Sequence, residues 1–398
     1  MNNKLSKRVQ SIKASPTLVI AAKAAQLKAS GKKVITLAAG EPDFPTPAYI
    51  CEAAKQAIDQ GFTRYTAVAG ILELRQAICN KLKHENALDY VPAQILVSCG
   101  AKHAIYNLLQ AVINPGDEVI IFAPYWVSYP DMTLLAEGVP VFVASNLETG
   151  FKIDIKAFEK AITHKTKMVI INSPSNPTGV VYTAEDLVAM ASVLDKYPDI
   201  LIMTDDIYEH IVWNKGSFCT ILQVAPQLAN RTIIINGVSK SHAMTGWRIG
   251  YAAGPKYIID AMVNIQSQST SNPASISQKA ALAALTGLQD FRQEMLAAFK
   301  ERHDYVVNRI NNIPKMQCMP VGGAFYCFFR VQDLIDALPN IHNDAELTEF
   351  ILDEAEVAFV PGSAFGLEGY LRLSFATSMQ ELIEAFDRLA ELVHKLIK

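Results

Sequence analysis

Three short segments hold the residues best suited to chemistry: Asn172-Ser-Pro-Ser-Asn-Pro-Thr-Gly179, Thr204-Asp-Asp-Ile-Tyr208 and Ser239-Lys240-Ser-His-Ala-Met-Thr-Gly-Trp-Arg248-Ile-Gly250. A lysine fixed just past a buried strand, with Arg248 nearby, has the setting that lowers an amine pKa, and the neutral amine is the nucleophile of Schiff-base chemistry. Standing alone, Lys240 reads as an exposed loop lysine, the usual fate of that residue. Asp205, delivered by four apolar residues to a strand end, is costly to bury without a cation, and a protonated ring nitrogen would serve. By itself it reads equally as a solvated loop acid. In the first segment two prolines and a glycine fix a loop that presents the Asn172 and Asn176 amides; alone, that is only a turn. A fourth candidate, Arg372, is flanked by Leu371, Leu373 and Phe375. A packed arginine needs an anionic partner, and its planar fork takes a carboxylate bidentately; the alternative is an exposed strand arginine.

These residues fall at the ends of apolar runs. Ile95–Ser98, Glu118–Phe122, Met168–Asn172, Ile200–Thr204 and Thr232–Asn236 are short, β-rich and mostly unalternating, as strands buried on both faces should be. Helical stretches between them, such as Ala101–Ile113 ending at Asn114-Pro-Gly116 and Ala184–Tyr197 after the N-cap candidate Thr183, give the rhythm of βαβ units. The expected class is α/β, and ligands in such sheets bind beyond the carboxyl ends of the strands. After about residue 285 the pattern turns to long helices, with strands at Gly323–Phe329, Val357–Val360 and Leu371–Phe375 and a helix from Met379 to Ile397. That predicts a large domain over 46–285 and a smaller α+β domain assembled from 1–45 and 286–398, with no repeat or low-complexity linker at the join.

A chain of 398 residues, half of them hydrophobic, can fill two cores. Charged residues make up 19%, and 36 basic nearly balance 39 acidic, so nothing points to nucleic acid; the expected partners are small molecules. Basic residues near Met1 have no apolar stretch behind them, and no apolar run reaches membrane-spanning length, which predicts a cytoplasmic protein without a membrane segment. Six cysteines without a C-x-x-C pair fit reduced thiols, and eight histidines without H-x-x-x-H or H-x-H spacing offer zinc no evident cage, so no metal is expected.

Taken together, Ser-Pro-x-Asn-Pro-Thr-Gly, Asp-x-x-Tyr and Ser-Lys-x-x-x-Met-x-Gly-Trp-Arg-x-Gly, in this order and spacing, resemble the class I aminotransferases of fold type I, which depend on pyridoxal 5′-phosphate. The resemblance extends from Ala39-Gly-Glu-Pro-Asp-Phe-Pro-Thr-Pro47, through Tyr65-Thr-Ala-Val-Ala-Gly70 and Pro124-Tyr-Trp-Val-Ser-Tyr129, to Gly369-Tyr-Leu-Arg-Leu-Ser374. Within the class it is similar to the bacterial aspartate aminotransferase branch, some of whose members accept prephenate. It implies that Lys240 binds the cofactor as a Schiff base and shuttles the proton, while Asp205 pairs with the pyridine nitrogen. It further implies that Tyr208 and Asn176 bond the ring's phenolic oxygen and that Trp126 stacks on the ring. The phosphate would sit on the N–H groups of Gly100, Ala101 and Lys102 with Ser239 and Arg248. Arg372, helped by Asn176, Trp126 and the Gly40 backbone, would hold the substrate α-carboxylate. Tyr65 matches a tyrosine that reaches the neighbouring subunit's cofactor phosphate, which implies a homodimer with shared active sites.

Two lysines bear on the substrate. Lys102 matches a residue associated with a distal carboxylate, and Lys13 one tied to prephenate; each also reads as an ordinary solvated charge. Asp206 stands where the branch usually has glutamate, and Cys99 and Ala101 vary from common patterns. The implied reaction is ping-pong transfer of the amino group of L-aspartate to 2-oxoglutarate. A prephenate or broad aromatic aminotransferase and a pyridoxal-phosphate-dependent β-lyase would use the same residues. A ligand sensor on this fold would carry a DNA-binding extension, and no helix-turn-helix pattern is present.

Overall fold

The computed structural model describes residues 4–13, 16–213 and 218–397. Twelve strands form three sheets. In chain order they are β1 (Ile35–Thr36), β2 (Ile95–Ser98), β3 (Glu118–Ala123), β4 (Val139–Ala144), β5 (Thr166–Asn172) and β6 (Leu201–Asp205). β7 (Thr232–Gly237), β8 (Gly250–Ala253), β9 (Tyr326–Arg330), β10 (Val357–Ala358), β11 (Val360–Pro361) and β12 (Tyr370–Ser374) follow. The large sheet has the order β2-β8-β7-β6-β5-β3-β4. All its pairings are parallel except those of β8, which runs antiparallel to both β2 and β7. β6 and β7 are buried from end to end and β5 through its middle, which is why they read as largely apolar runs.

Each face of this sheet packs against helices. One core includes Leu74, Ile78 and Leu82 of the helix Leu72–Asn86 and Leu187, Met190 and Leu194 of Ala184–Leu194. The other includes Ile105, Leu108 and Leu109 of Ala101–Val112 and Ile258, Ile259 and Met262 of Lys256–Ser267. A separate aromatic-rich core (Phe299, Phe325, Phe329, Phe359, Phe375, Phe386) joins the antiparallel sheet β11-β12-β9 to the helices Phe291–Asn311, Asp344–Ala355 and Met379–Leu396. Ile35 and Leu37 belong to that core, and β1 pairs in parallel with β10, so the N-terminal segment returns to the C-terminal part of the chain.

The expected elements differ from these in identifiable ways. β4 and β8 went unread: β4 is an edge strand with mixed exposure and an internal proline, and Gly-Tyr-Ala-Ala of β8 has no β-branched residue. The strand expected from Gly323 starts at Tyr326, because Gly323 makes only an isolated bridge to Val212 and Ala324 turns to φ +56°. The run Val357–Val360 divides at Phe359 between two sheets. The helix after Thr183 is capped as expected, with Asp186 completing the capping box, but stops at Leu194. There Arg231 takes over the end, donating to the Leu194, Tyr197 and Ile200 carbonyls at 2.8, 2.7 and 2.8 Å.

Candidate active site

The carboxyl ends of the parallel strands converge on a cavity of about 300 Å³. Asn172 ends β5 and pairs across the sheet with Asp205, which ends β6; Lys240 lies three residues past β7, and Arg248 two residues before β8. Gly40, Ala101, Lys102, Trp126, Asn176, Tyr208, Ser239 and Arg372 also line it, so all but three of the candidate residues meet in one wall.

The three outside it are Gly100, which lies directly behind Ala101 at the start of its helix, Tyr65 and Lys13. Tyr65 is 92% exposed and touches no part of the cavity. Lys13 is exposed and lies against Asp131, on the helix that follows Trp126. Burial lifts the Asp131 carboxyl above its ordinary value, and the Lys13 N–H and ammonium oppose the shift.

At the inner end, Asp205 is buried and accepts from the Tyr129 hydroxyl at 2.7 Å and the Ile207 N–H at 3.3 Å. Burial raises its pKa to about 6, while those two donors and the Lys240 charge hold it from rising further. Lys240 is half-buried and donates to the Gly40 carbonyl. Burial lowers its ammonium to about 8, with Glu41 and Asp205 opposing the shift and Arg248 and Arg372 adding to it. A good fraction of this amine is therefore neutral near physiological pH, as a nucleophile requires.

On one side the wall is made of backbone. Ala101–Val112 begins at Gly100 without a side-chain cap, so its first N–H groups have no partner within the helix and face the cavity with the positive end of the helix dipole. Gly100 has φ +89°, and a Cβ there would lie 2.3 Å from Arg248 Nη2; a Cβ on Gly250 would lie 2.1 Å from the Ala101 nitrogen. Arg248 donates to the Cys99 carbonyl at 3.3 Å and the Thr245 carbonyl at 3.0 Å, and buried Ser239 completes a cradle fit for an anion. Its variant residues Cys99 and Ala101 enter through the main chain, which tolerates their side chains.

Across the cavity, Arg372 on β12 is only 3% exposed. Its guanidinium donates to Asn176 Oδ1 at 3.0 Å and the Ala38 carbonyl at 2.8 Å, and lies between the Tyr326 and Phe365 rings at 4.6 and 4.8 Å. Among the described residues no carboxylate pairs with it, and its Nε has no partner. Burial lowers its pKa, as expected for a charge waiting for an anion. The Asn172 amide ties its own loop together, accepting from the Asn176 N–H at 3.0 Å and donating to the Asp205 carbonyl at 3.0 Å. Lys102 stands with its ammonium 4.9 Å over the Trp126 ring; burial, then Arg248, lowers its pKa.

Tyr129 and Tyr326 were not read from the sequence as site residues. Tyr129 follows Trp126 by three positions, one helical turn, and meets its ring edge-on at 5.2 Å. Tyr326 bonds the Tyr208 hydroxyl at 2.8 Å and lies under Arg372. It shares a face with Arg372 because β9 pairs with β12 in the register Phe328 to Arg372, and only that pairing reveals it.

One His and carboxylate group comes together among the described residues, Glu85, Glu209 and His210, with ligand atoms within 4.8 Å of one another. The Lys81 ammonium is bonded to Glu209 and lies 3.5 Å from Glu85, so a cation already fills that place. Among the described residues no helix is long and apolar enough to cross a membrane.

Comparison with known proteins agrees with this geometry. The family model for aminotransferase class I and II matches residues 32–389. An aspartate/prephenate aminotransferase of Nitrosomonas europaea is 56% identical over 98% of this chain and 100% of its own length. The crystal structure of the aspartate aminotransferase from Rhizobium meliloti superimposes with a TM-score of 0.95 at 46% identity, covering 98% of this chain and 99% of that one. The aspartate aminotransferase from Thermus thermophilus with maleate gives 0.92 at 41% identity, with the same coverage of both chains. With its fold and nearly its whole length in common with these proteins, the chain belongs to the class I and II aminotransferases.

Proposed function

We propose that the chain is a pyridoxal-phosphate-dependent aminotransferase that moves the amino group of L-aspartate to 2-oxoglutarate in a ping-pong cycle. The observation that carries this reading is Arg372: a buried guanidinium with an unpartnered Nε, across one cavity from the lowered amine of Lys240. When bound, pyridoxal phosphate supplies an electron-accepting ring and a carbonyl that exchanges amines. The site fits it, because the Gly100 and Gly250 cradle would be filled by any Cβ and Asp205 lies buried where a protonated ring nitrogen would complete it.

Each residue then has one task. The N–H groups of Gly100, Ala101 and Lys102, with Ser239 and Arg248, hold the phosphate. Asp205, ionised with the help of Tyr129, keeps the proton on the ring nitrogen. Tyr208 and Asn176 orient the ring through its hydroxyl oxygen; Asn176 commits its Oδ1 to Arg372 and has its amide nitrogen to donate. Trp126 covers the ring face. Lys240 would hold the cofactor through its amine and, once released, would be the base placed to take and return the substrate Cα proton. Arg372 and the Gly40 backbone orient the α-carboxylate so that the Cα–H bond faces Lys240.

A dicarboxylate needs a second cation, and Lys102 beside Trp126 is the wall's candidate. A Thermus thermophilus relative is described with maleate, a dicarboxylate. Prephenate is a second acceptor to weigh, given the name of the Nitrosomonas europaea relative, with Lys13 drawn in from its exposed position by Asp131. Residues 1–45 and 286–398 would move as the smaller domain, so that Arg372 carries substrate toward Lys240 and excludes water. The protein would act as a cytoplasmic homodimer with Tyr65 serving the neighbouring site.

Lys240→Ala tests the reading. It should remove both the visible absorbance of the bound cofactor and turnover of L-aspartate with 2-oxoglutarate, and retention of both would sink it.

A further inference from the structure

Tyr65 is the most exposed large hydrophobic residue among those described, yet the segment that bears it is bonded from inside by buried side chains. Two glutamines from consecutive helices, both fully buried, grip Tyr65–Gly70 from inside. Gln278, on Ser275–Thr286, accepts from the Ile71 N–H at 2.8 Å and donates to Thr66 Oγ1 at 3.0 Å and the Pro273 carbonyl at 2.8 Å. Gln266, on Lys256–Ser267, donates to the Val68 and Val97 carbonyls at 2.8 and 2.9 Å and accepts from Ser98 Oγ and Asn107 Nδ2 at 2.7 and 2.9 Å. Gly70 closes the grip with φ +94°, since a Cβ there would lie 2.8 Å from Val97 and 3.3 Å from Gln278 Oε1.

Burying a primary amide is costly unless its bonds are made, and here two such amides are satisfied by one short loop and its immediate supports. The result is a fixed backbone under a phenol that is 92% exposed. That arrangement is useful only if the phenol is aimed at another molecule. We infer that Gln278, backed by Gln266, is a positioning residue that aims Tyr65 into the active site of a second copy of this chain, where it steadies the cofactor phosphate. The inference rests on the shared-site homodimer reading. Gln266 also bonds Ser98, just before the Gly100 cradle, so one side chain braces the anion site of its own chain and the loop offered to the other.

The test measures pyridoxal-phosphate dissociation from the holoenzyme by equilibrium dialysis, with dimer content followed by sedimentation. Y65F and Q278M should each weaken binding about tenfold, roughly the worth of one hydrogen bond to a charged group, and the double variant should be no weaker than about twice either one. Additive losses would overturn the inference. In hybrid dimers pairing a Lys240→Ala chain with a Gln278→Met chain, the one site that keeps Lys240 is served by an intact Tyr65 loop and should bind as the wild type does. Weak binding there would mean that Gln278 acts within its own chain, and would also overturn it. Gln278→Glu keeps the acceptor for Ile71 but loses both donors, so it serves if the methionine variant does not fold; unchanged affinity in it counts against the inference. Were Y65F itself without effect, or the chain monomeric, the shared-site reading would fall as well; Y65F effective with both Gln278 variants inert removes this inference alone.

Discussion

Two clusters of charge sit on opposite sides of one short turn. Behind Asp205–His210, Glu209 is met by the Lys81 ammonium and by the Asn86 and Asn236 amides at 2.9 and 2.6 Å. Burial pushes the Glu209 carboxyl up, but Lys81 and His210 hold it below its usual range. In front, Arg372 and Lys240 are buried or half-buried cations with no carboxylate bonded to them, and Asp205 has only neutral donors. The rear cluster is closed and the front one open. A complete buried ion pair locks a turn in place, whereas an incomplete one is a binding site whose missing charges belong to the ligand.

The largest expected effect breaks the closed side. Lys81→Met leaves Glu209 buried without its cation and should cost about 3–5 kcal/mol of stability, read from denaturant unfolding. A loss under about 1 kcal/mol would show that the pair is not the lock. On the open side the same kind of change should act on function instead. Arg372→Leu should lower kcat/KM for L-aspartate by about 2–5 kcal/mol in transition-state terms while leaving the unfolding midpoint of the unliganded chain unchanged or raised, since an unpaired buried charge is removed. A drop in stability matching that of Lys81→Met would erase the distinction.

Tyr129→Phe is the smallest and sharpest. It removes a donor that holds the Asp205 pKa near 6, so the pKa should rise by about one unit, followed by carbon NMR of labelled aspartate in the cofactor-free chain. The folded pKa lies above the unfolded value of about 3.9, so ionising Asp205 costs stability as pH rises from about 4 to 6. The variant should extend that loss upward in pH. A midpoint that stays put or falls would contradict the assignment of Tyr129.

The open cluster was more legible in the sequence than the closed one. Asp205 ends one apolar run and Lys240 lies three residues past another, with Arg248 in the same short motif, and the α/β class follows from those runs alone. Glu209 and Lys81 lie 128 residues apart with no local pattern joining them. Tyr326 needed the β9 to β12 register, and β8 needed the sheet around it, because Gly-Tyr-Ala-Ala carries no periodic signal. The buried glutamines were illegible for a related reason: Gln278 is one of several polar residues on its helix, and only the loop it meets explains it.

The contact of Gly250 with Ala101 has a consequence for proton traffic. An anchor made of peptide N–H groups, admitted by the absence of a side chain, does not titrate, while Asp205 near 6 and Lys240 near 8 do. Across that interval acidity can switch the proton-handling groups on and off without touching the backbone grip. On the proposed reading, the phosphate grip would keep one form across the pH interval in which Asp205 and Lys240 change charge.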